Sequence, residues 1–470
     1  MIKKYAASAA KNGRGGATVR TGTAMRNMTV GSCWKSILLF ALPMLAGNLL
    51  QQCYNLVDSW AVGNYVGDSA LAAVGTAYPV LFLYISIFQG VSTGSTVVIS
   101  QFFGAGRMDR VQDAVDTTYS AFLAMILPLT ALAMLLVEPL LHLLRIDQSA
   151  YAEARSYMLI VCAGLIGNVG YNFNAGILRG LGDSRTPLLF LILATGLNIV
   201  LDLAAVIVFH LGVAGVAYAT IIAEGVSWLV GVVYINRHYS AIHLSLLRLR
   251  FDRPLLREIV RIGLPAGAQT ALVSIGMMAV TGRVNSYGET YTAAYNMVQK
   301  IDGIAMQPIQ SLAVAATAFV GQNLGADKPS RVRSGTRATL VMMLLWCLIT
   351  DLVILPLREP LASLFTDTPL AIHICGSFAL CLLPCYPLFG VMFCLNSIMR
   401  GAGESVVPLL VALVGQIFCR VPSVYLLAHL FGPDYMFLGF GFGWAVGAVL
   451  ASAYYLSGRW KRHGSVAAQL

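Results

Sequence analysis

At 470 residues, 57% hydrophobic and only 11% charged, with a mean hydropathy of +0.74, the chain lies far from a soluble domain, which is roughly a quarter charged. A water-soluble enzyme is thereby excluded, and continuous apolar runs exclude a porin-like barrel, whose strands are about 10 residues long and alternate in polarity. The net charge of +10 invites a nucleic-acid partner, but its placement argues for a lipid bilayer instead.

Residues 1–33 hold Lys, Arg, Gly, Thr and Ala without the apolar core of a signal peptide, and read as a basic cytoplasmic tail, disordered at the anionic inner leaflet. Crossing ~30 Å of hydrocarbon takes roughly 20 apolar residues in a helix. Six such stretches follow in residues 34–236, at 36–62, 69–99, 117–141, 152–178, 186–209 and 213–236. Residues 237–257 form a cytoplasmic linker with five arginines and an interrupted apolar run, Ile242 to Leu249, suited to an amphipathic helix on the membrane surface. Six more spans fill residues 258–458, at 258–285, 291–320, 336–357, 370–399, 406–430 and 436–457, before a cytoplasmic tail, 459–470.

The expected fold is therefore all-α and polytopic, with twelve transmembrane helices in two six-helix lobes. Six is even, so both lobes share one orientation and are related by a pseudo-two-fold along the membrane normal. Of 31 Lys and Arg, 25 fall on one side and only Arg145, Arg155 and Arg358 on the other. The positive-inside bias then places both termini in the cytoplasm and the chain in the inner membrane.

Duplication is legible directly. Ile177 to Leu188 (ILRGLGDSRTPL) recurs as Ile398 to Leu409 (IMRGAGESVVPL) at an offset of 221. Gln101-x-x-Gly104-Ala105 returns as Gln322-x-x-Gly325-Ala326, and Leu42-Pro43 as Leu264-Pro265. A repeat of half the chain length means two equivalent lobes rather than a solenoid. Pro43 and Pro265 fall inside the first span of each lobe, where a lost backbone hydrogen bond lets a helix bend.

No GxxxxGK[ST] occurs, which argues against a nucleotide motor within the chain and leaves an ion gradient, a partner, or no energy source at all. Nine cysteines, odd in number and without CxxC, read as buried free thiols. Gly439, Gly441 and Gly443 in the last span read as close helix packing.

Ionisable groups at membrane depth are costly and mark functional positions. The N-terminal lobe has Asp58, Asp202 and Glu224. Asn198 and Asp202 are four apart, on one helix face, and Asp202 lies about eight residues, ~12 Å, below the outer turn at His210. Thr220 sits equally deep on the next, antiparallel helix. Asp58, Asn198, Asp202 and Thr220 offer hard oxygens for an alkali cation, or carboxylates crowded enough to share a proton. Glu224, one turn beyond Thr220, is a candidate relay or cavity-lining group.

The C-terminal lobe has no copy of these acids: Asn198 maps to Cys419 and Asp202 to Ser423. Its spans carry Arg283, Lys300, Asp302, Asp351 and Arg420 instead. Lys300 and Asp302 are two apart and point different ways, and a cavity-facing Lys300 would repel cationic cargo.

YNLVD (Tyr54 to Asp58), Asn198-x-x-x-Asp202, VGQNLGA (Val320 to Ala326) and the two RGxG[DE]S loops together resemble the multidrug and toxic compound extrusion (MATE) family, over about residues 34 to 460. The resemblance implies two six-helix lobes around a central cleft, and antiport of amphipathic, often cationic, compounds against inward H+ or Na+. Within the family the chain is similar to the DinF-like branch, whose coupling residues fall on Asp58, Asn198, Asp202 and Thr220. The NorM-like branch places acids on the seventh and tenth spans, where this chain has only Glu258 at the inner mouth. The expected partners are amphipathic small molecules and the bilayer, with no cofactor beyond the coupling ion and a monomer as the unit. A flippase for lipid-linked intermediates is the alternative, since Lys300 and Arg420 would suit phosphates.

Overall fold

The computed structural model describes residues 25–65, 68–143, 148–246, 248–463 and 466–470, with the side chains of 55–65, 68–80, 83, 143, 148–150 and 462–463 left aside. The helices, numbered by passage, are α1 Cys33–Tyr65, α2 Asp68–Gly104, α3 Met108–Leu143, α4 in two pieces (Gln148–Ala163 and Leu165–Gly180), α5 Arg185–Leu203 and α6 Gly212–His238. The second lobe continues with α7 Arg253–Asn285, α8 (Glu289–Ala305 and Gln307–Gly325), α9 Pro329–Ala362, α10 (Pro369–Leu382 and Tyr386–Gly401), α11 (Val406–Ala412 and Arg420–Leu430) and α12 Leu438–Leu456. Among the described residues ten helices are long and apolar enough to cross a membrane, and the bent pair in α4 makes an eleventh. The remaining passage, α2, is an unbroken helix of 37 residues.

The interruptions follow the repeat. The two halves of α4 meet at 46° around Gly164. One repeat later, α10 carries a 3-10 turn, Leu383–Cys385, where Pro384 withholds a backbone donor. A Cβ on Gly164 would lie 2.1 Å from Ile221 Cγ2, so only glycine lets α4 bend against α6. Both fifth helices contain π-helical turns, Ala204–Val208 after Asp202 and Leu413–Cys419 before Arg420. Such turns insert one residue and re-aim the side chains beside them. α1 and α7 run continuously through Pro43 and Pro265.

α8 is largely enclosed, with 78% of its most apolar stretch buried, whereas α9 has 17%. α9 instead presents Leu345, Leu348 and Leu352 outward, and α3 presents Leu127, Leu132 and Leu135, as lipid-facing helices do. Each lobe has its own apolar core, but the cores are crossed at the face that carries both chain ends. Met28, Ile37 and Phe40 belong to the core of the second lobe, and Leu255, Ile259, Ile262, Val466 and Ala467 to that of the first. Gly90 and Gly94 on α2 let it cross α7 closely: a Cβ on Gly90 would stand 2.4 Å from the Gly263 carbonyl oxygen.

Two expectations need correction. The linker is not a surface helix: from Tyr239 to Asp252 its described residues are non-helical and bury Tyr239, Ile242 and Leu244. Side-chain amides replace helical hydrogen bonds there. Gln112 accepts from the His243 N–H at 2.7 Å and donates to its carbonyl at 2.9 Å, and Asn236 does the same for Leu244 at 2.6 and 2.9 Å. The basic tail is described only from Met25, but from there it is not free: Met28 is wholly buried. All nine cysteines are free, as the spacing predicts, but not all are buried: Cys53 is exposed and Cys33, Cys385 and Cys419 are half-buried. Gly439 and Gly443 pack on α11 and Gly441 on Cys385 of α10.

Candidate functional site

At the face carrying the chain ends, two of the repeated motifs meet and close the lobes on each other. Gln101 on α2 donates through Nε2 to the Gly401 carbonyl in the other lobe at 3.1 Å. Its copy, Gln322 on α8, donates to the Gly180 carbonyl at 3.3 Å. Gly180 and Gly401 are themselves copies, each opening its lobe's RGxG loop. The amide oxygens are filled by the chain ends: Met28 N–H donates to Gln322 Oε1 at 2.9 Å and Val466 N–H to Gln101 Oε1 at 2.7 Å. Asn323, Lys328 and Arg331 hold residues 28 and 29 by their carbonyls, and Arg107 holds that of Ala467.

The acidic residue of each loop caps the following helix. Asp183 Oδ1 accepts from the Arg185 and Thr186 N–H groups at 2.9 and 3.2 Å, and Glu404 Oε1 from those of Val406 and Val407 at 3.0 and 3.2 Å. Gly182 and Gly403, at φ +83° and +87°, supply the left-handed turn. Asp183 also accepts from the Tyr239 hydroxyl, and burial followed by that carboxylate pushes the phenol well above its usual range. These loops are helix caps, not phosphate cradles.

The acid-bearing region lies deeper in the first lobe. Asn198 and Asp202 are each 3% exposed on α5, and Asn198 Nδ2 donates to Thr220 Oγ1 on α6 at 3.3 Å. The Thr220 hydroxyl in turn donates to the Val216 carbonyl at 3.0 Å. Asn198 Oδ1 is buried with no hydrogen-bond partner among the described residues. The fourth expected member, Asp58, lies on α1 among the residues whose side chains are outside the description. Glu224 accepts from Asn168 Nδ2 on α4 at 2.6 Å, where Gly167 lies against the α6 backbone. A separate cavity of about 140 Å³ opens between α1, α2, α4 and α5, lined by Pro43, Asn48, Gln51, Gln89, Tyr171 and Arg179 among others.

In the second lobe Lys300 and Asp302 do not pair. Lys300 is exposed with Nζ 5.3 Å from the Phe365 ring centre, while Asp302 accepts from the Tyr386 hydroxyl on α10. Tyr386 thereby ties α10 to α8. Sequence reasoning passed over Tyr386; its place one residue after the broken turn of α10 is the signal that could have found it. Arg420 is 2% exposed, stacked 4.8 Å from the Phe440 ring centre, and Arg283 is flanked by Tyr287 and Tyr425 at 4.9 and 5.2 Å.

Comparison with known proteins matches this arrangement. The MatE family model matches twice, over residues 43–204 and 265–426, one repeat apart. The chain is 30% identical to the probable multidrug resistance protein YpnP of Bacillus subtilis, over 93% of this chain and 97% of that one. It is 29% identical to the probable multidrug resistance protein YoeA of the same organism, over 90% and 94%. Its fold is similar to that of a MOP superfamily transporter from Pyrococcus furiosus, at a TM-score of 0.88 and 23% identity over 94% and 99% of the two chains. A duplicated membrane chain with one family match per lobe, each beginning at the proline of its first helix, belongs to the multidrug and toxic compound extrusion family of transporters.

Proposed function

We propose that the protein is a secondary antiporter of the DinF-like type that exports amphipathic small molecules across the cytoplasmic membrane, driven by inward H+ or Na+ bound in the N-terminal lobe. The observation that carries this reading is the buried Asn198–Asp202 face bridged to Thr220 on the adjacent helix, with the Asn198 oxygen left for a ligand. Asp58 completes the set from α1, and Glu224, hydrogen-bonded to Asn168, serves as relay or cavity lining. A cation or proton arriving there changes the charge of the cluster, and such a change favours a different helix arrangement. The bend sites are Pro43, which lines the adjacent cavity, and Pro265, its copy. The face carrying both chain ends is the cytoplasmic one, since the Lys- and Arg-rich connections lie there. The unit is a monomer, because both lobes come from one chain, and no cofactor takes part.

The test uses protein reconstituted in liposomes loaded with a fluorescent amphipathic drug, under an imposed pH or Na+ gradient. Gradient-driven export by wild type, lost in both Asp202→Asn and Asp58→Asn, is expected. Unchanged export in both variants sinks the coupling assignment. Varying Na+ at fixed pH separates the two ions. A flippase for lipid-linked anions is favoured by Arg283 and Arg420 in the other lobe, and predicts transport that persists when both acids are neutralised.

A further inference from the structure

We propose that the C-terminal lobe carries an oxyanion site centred on Arg420, which takes a carboxylate or phosphate group of the transported molecule. Arg420 stands one residue from Cys419, the counterpart of Asn198, so a guanidinium occupies the level at which the other lobe carries its acids. It is 2% exposed, and its Nε and Nη2 atoms have no hydrogen-bond partner among the described residues. No carboxylate lies within 4.0 Å of it among the described residues. A buried, unpaired guanidinium is among the most costly arrangements a fold can hold, and it persists where a ligand supplies the missing charge. Nε and Nη2 are the two donors on one edge of the guanidinium, the fork that matches the two oxygens of a carboxylate or phosphate.

The surroundings keep that edge in place. The guanidinium carbon lies over the Phe440 ring, 4.8 Å from its centre, and Gly276 on α7 stands opposite Nη2, where a Cβ would come within 2.7 Å. Gly443 lets α12 approach the stem, with a Cβ there 2.8 Å from Arg420 Cβ. Gln416, one turn earlier in the π-helical stretch, is 3% exposed, and its oxygen has no hydrogen-bond partner among the described residues. A π-helical turn immediately before a buried charge is where such insertions serve ligands. Seven residues beyond Gly276, toward the end of α7, Arg283 holds a second guanidinium whose Nε has no partner. Anions are drawn to this lobe, while cations are drawn to the other.

The proposal depends on the antiport reading only for the step from binding to transport, so binding is measured first and without a gradient. Full-length protein in detergent is unfolded thermally at constant ionic strength with inorganic phosphate, acetate or chloride. A ligand that binds only the folded state raises the midpoint in a saturable way. Phosphate and acetate are expected to stabilise wild type beyond chloride, Arg420→Gln to abolish the response, and Arg420→Lys to weaken apparent affinity by roughly tenfold. Arg420→Gln should also raise the anion-free midpoint, because it removes an unpaired buried charge, whereas an arginine satisfied by water or by structural contacts gives a lower one. Should Arg420→Gln not fold, Gly276→Ala crowds Nη2 without removing charge and is expected to weaken the response by about the same factor. An equal phosphate response in Arg420→Gln or Gly276→Ala, no saturable response in wild type, or a lower anion-free midpoint in Arg420→Gln overturns the site. In liposomes, selective loss of carboxyfluorescein export in Arg420→Gln, with ethidium export retained, supports it, and equal loss of both overturns the step to transport. Failure of all gradient-driven export in wild type with anion binding intact would strike the antiport reading and leave the site standing.

Discussion

Gly104 sets its bare Cα against the backbone of Gln322: a Cβ there would stand 2.0 Å from the Gln322 carbonyl oxygen, and one on the copy Gly325 would stand 1.9 Å from that of Gln101. The contact is isologous, motif against its own copy, as a two-fold axis requires. It explains why Gln-x-x-Gly survives in both lobes: α2 and α8 cross here, and backbone meets backbone.

Gly104→Ala and Gly325→Ala should each force the helices apart and destabilise by about 1–3 kcal/mol, with the double variant less than additive because both strain one crossing. Gly303→Ala, at a helical glycine with nothing within 4 Å, should be neutral or stabilising. Unfolding in detergent reads all four variants, and an unperturbed Gly104→Ala would show that the crossing is looser than described.

The glutamines predict a crossed signature in amide hydrogen exchange. Gln322→Ala frees the Met28 N–H, and Gln101→Ala frees that of Val466. Each exchange rate should rise by roughly fivefold in its own variant and stay near wild type in the other, the size of one hydrogen bond of about 1 kcal/mol. Equal acceleration of both amides in either variant would mean that the lobes part as one unit.

Asp183→Ala and Glu404→Ala each remove a cap with two N–H partners and should cost about 1 kcal/mol. Faster exchange confined to residues 185–186 in the first and 406–407 in the second is the expected pattern. Tyr239→Phe should weaken only the first, since its hydroxyl serves Asp183 alone among the two caps. A loss shared by both caps in Tyr239→Phe would contradict that.

Thr220→Val keeps the shape of α6 but removes the oxygen that Asn198 reaches, whereas Thr220→Ser retains it. Gradient-driven export should fall roughly tenfold in the first, as when a supporting contact to a ligating group is lost, and stay within about twofold in the second. Equal activity of the two would remove Thr220 from the coupling set.

The duplication, the twelve passages and the Asn198–Thr220 neighbourhood were legible because helical period and hydropathy fix depth and face. What the repeated residues touch was not read: Gln101 and Gln322 pair across 300 and 142 residues, and no local pattern encodes such a partner. The symmetry held a clue, since residues kept in both copies are those nearest the axis. The linker misled because Ile242 to Leu249 has helical spacing, but the Gln112 and Asn236 amides bind its backbone in extended form. Arg420 was legible as a charge at depth; its lack of a carboxylate partner among the described residues was not, because which helices face it is decided only in three dimensions.

The crossed cores have a consequence for how such a chain is made. Residues 28 to 40 find their apolar surroundings in the second lobe, so the start of the chain cannot finish folding until that lobe has been synthesised and inserted. Val466 and Ala467 follow the last passage of the second lobe and fill a gap in the first. Assembly of each half thus waits on the far end of the sequence. A chain shortened at either end by a few residues beyond these points should reach the bilayer with both lobes built and the seam between them unsealed.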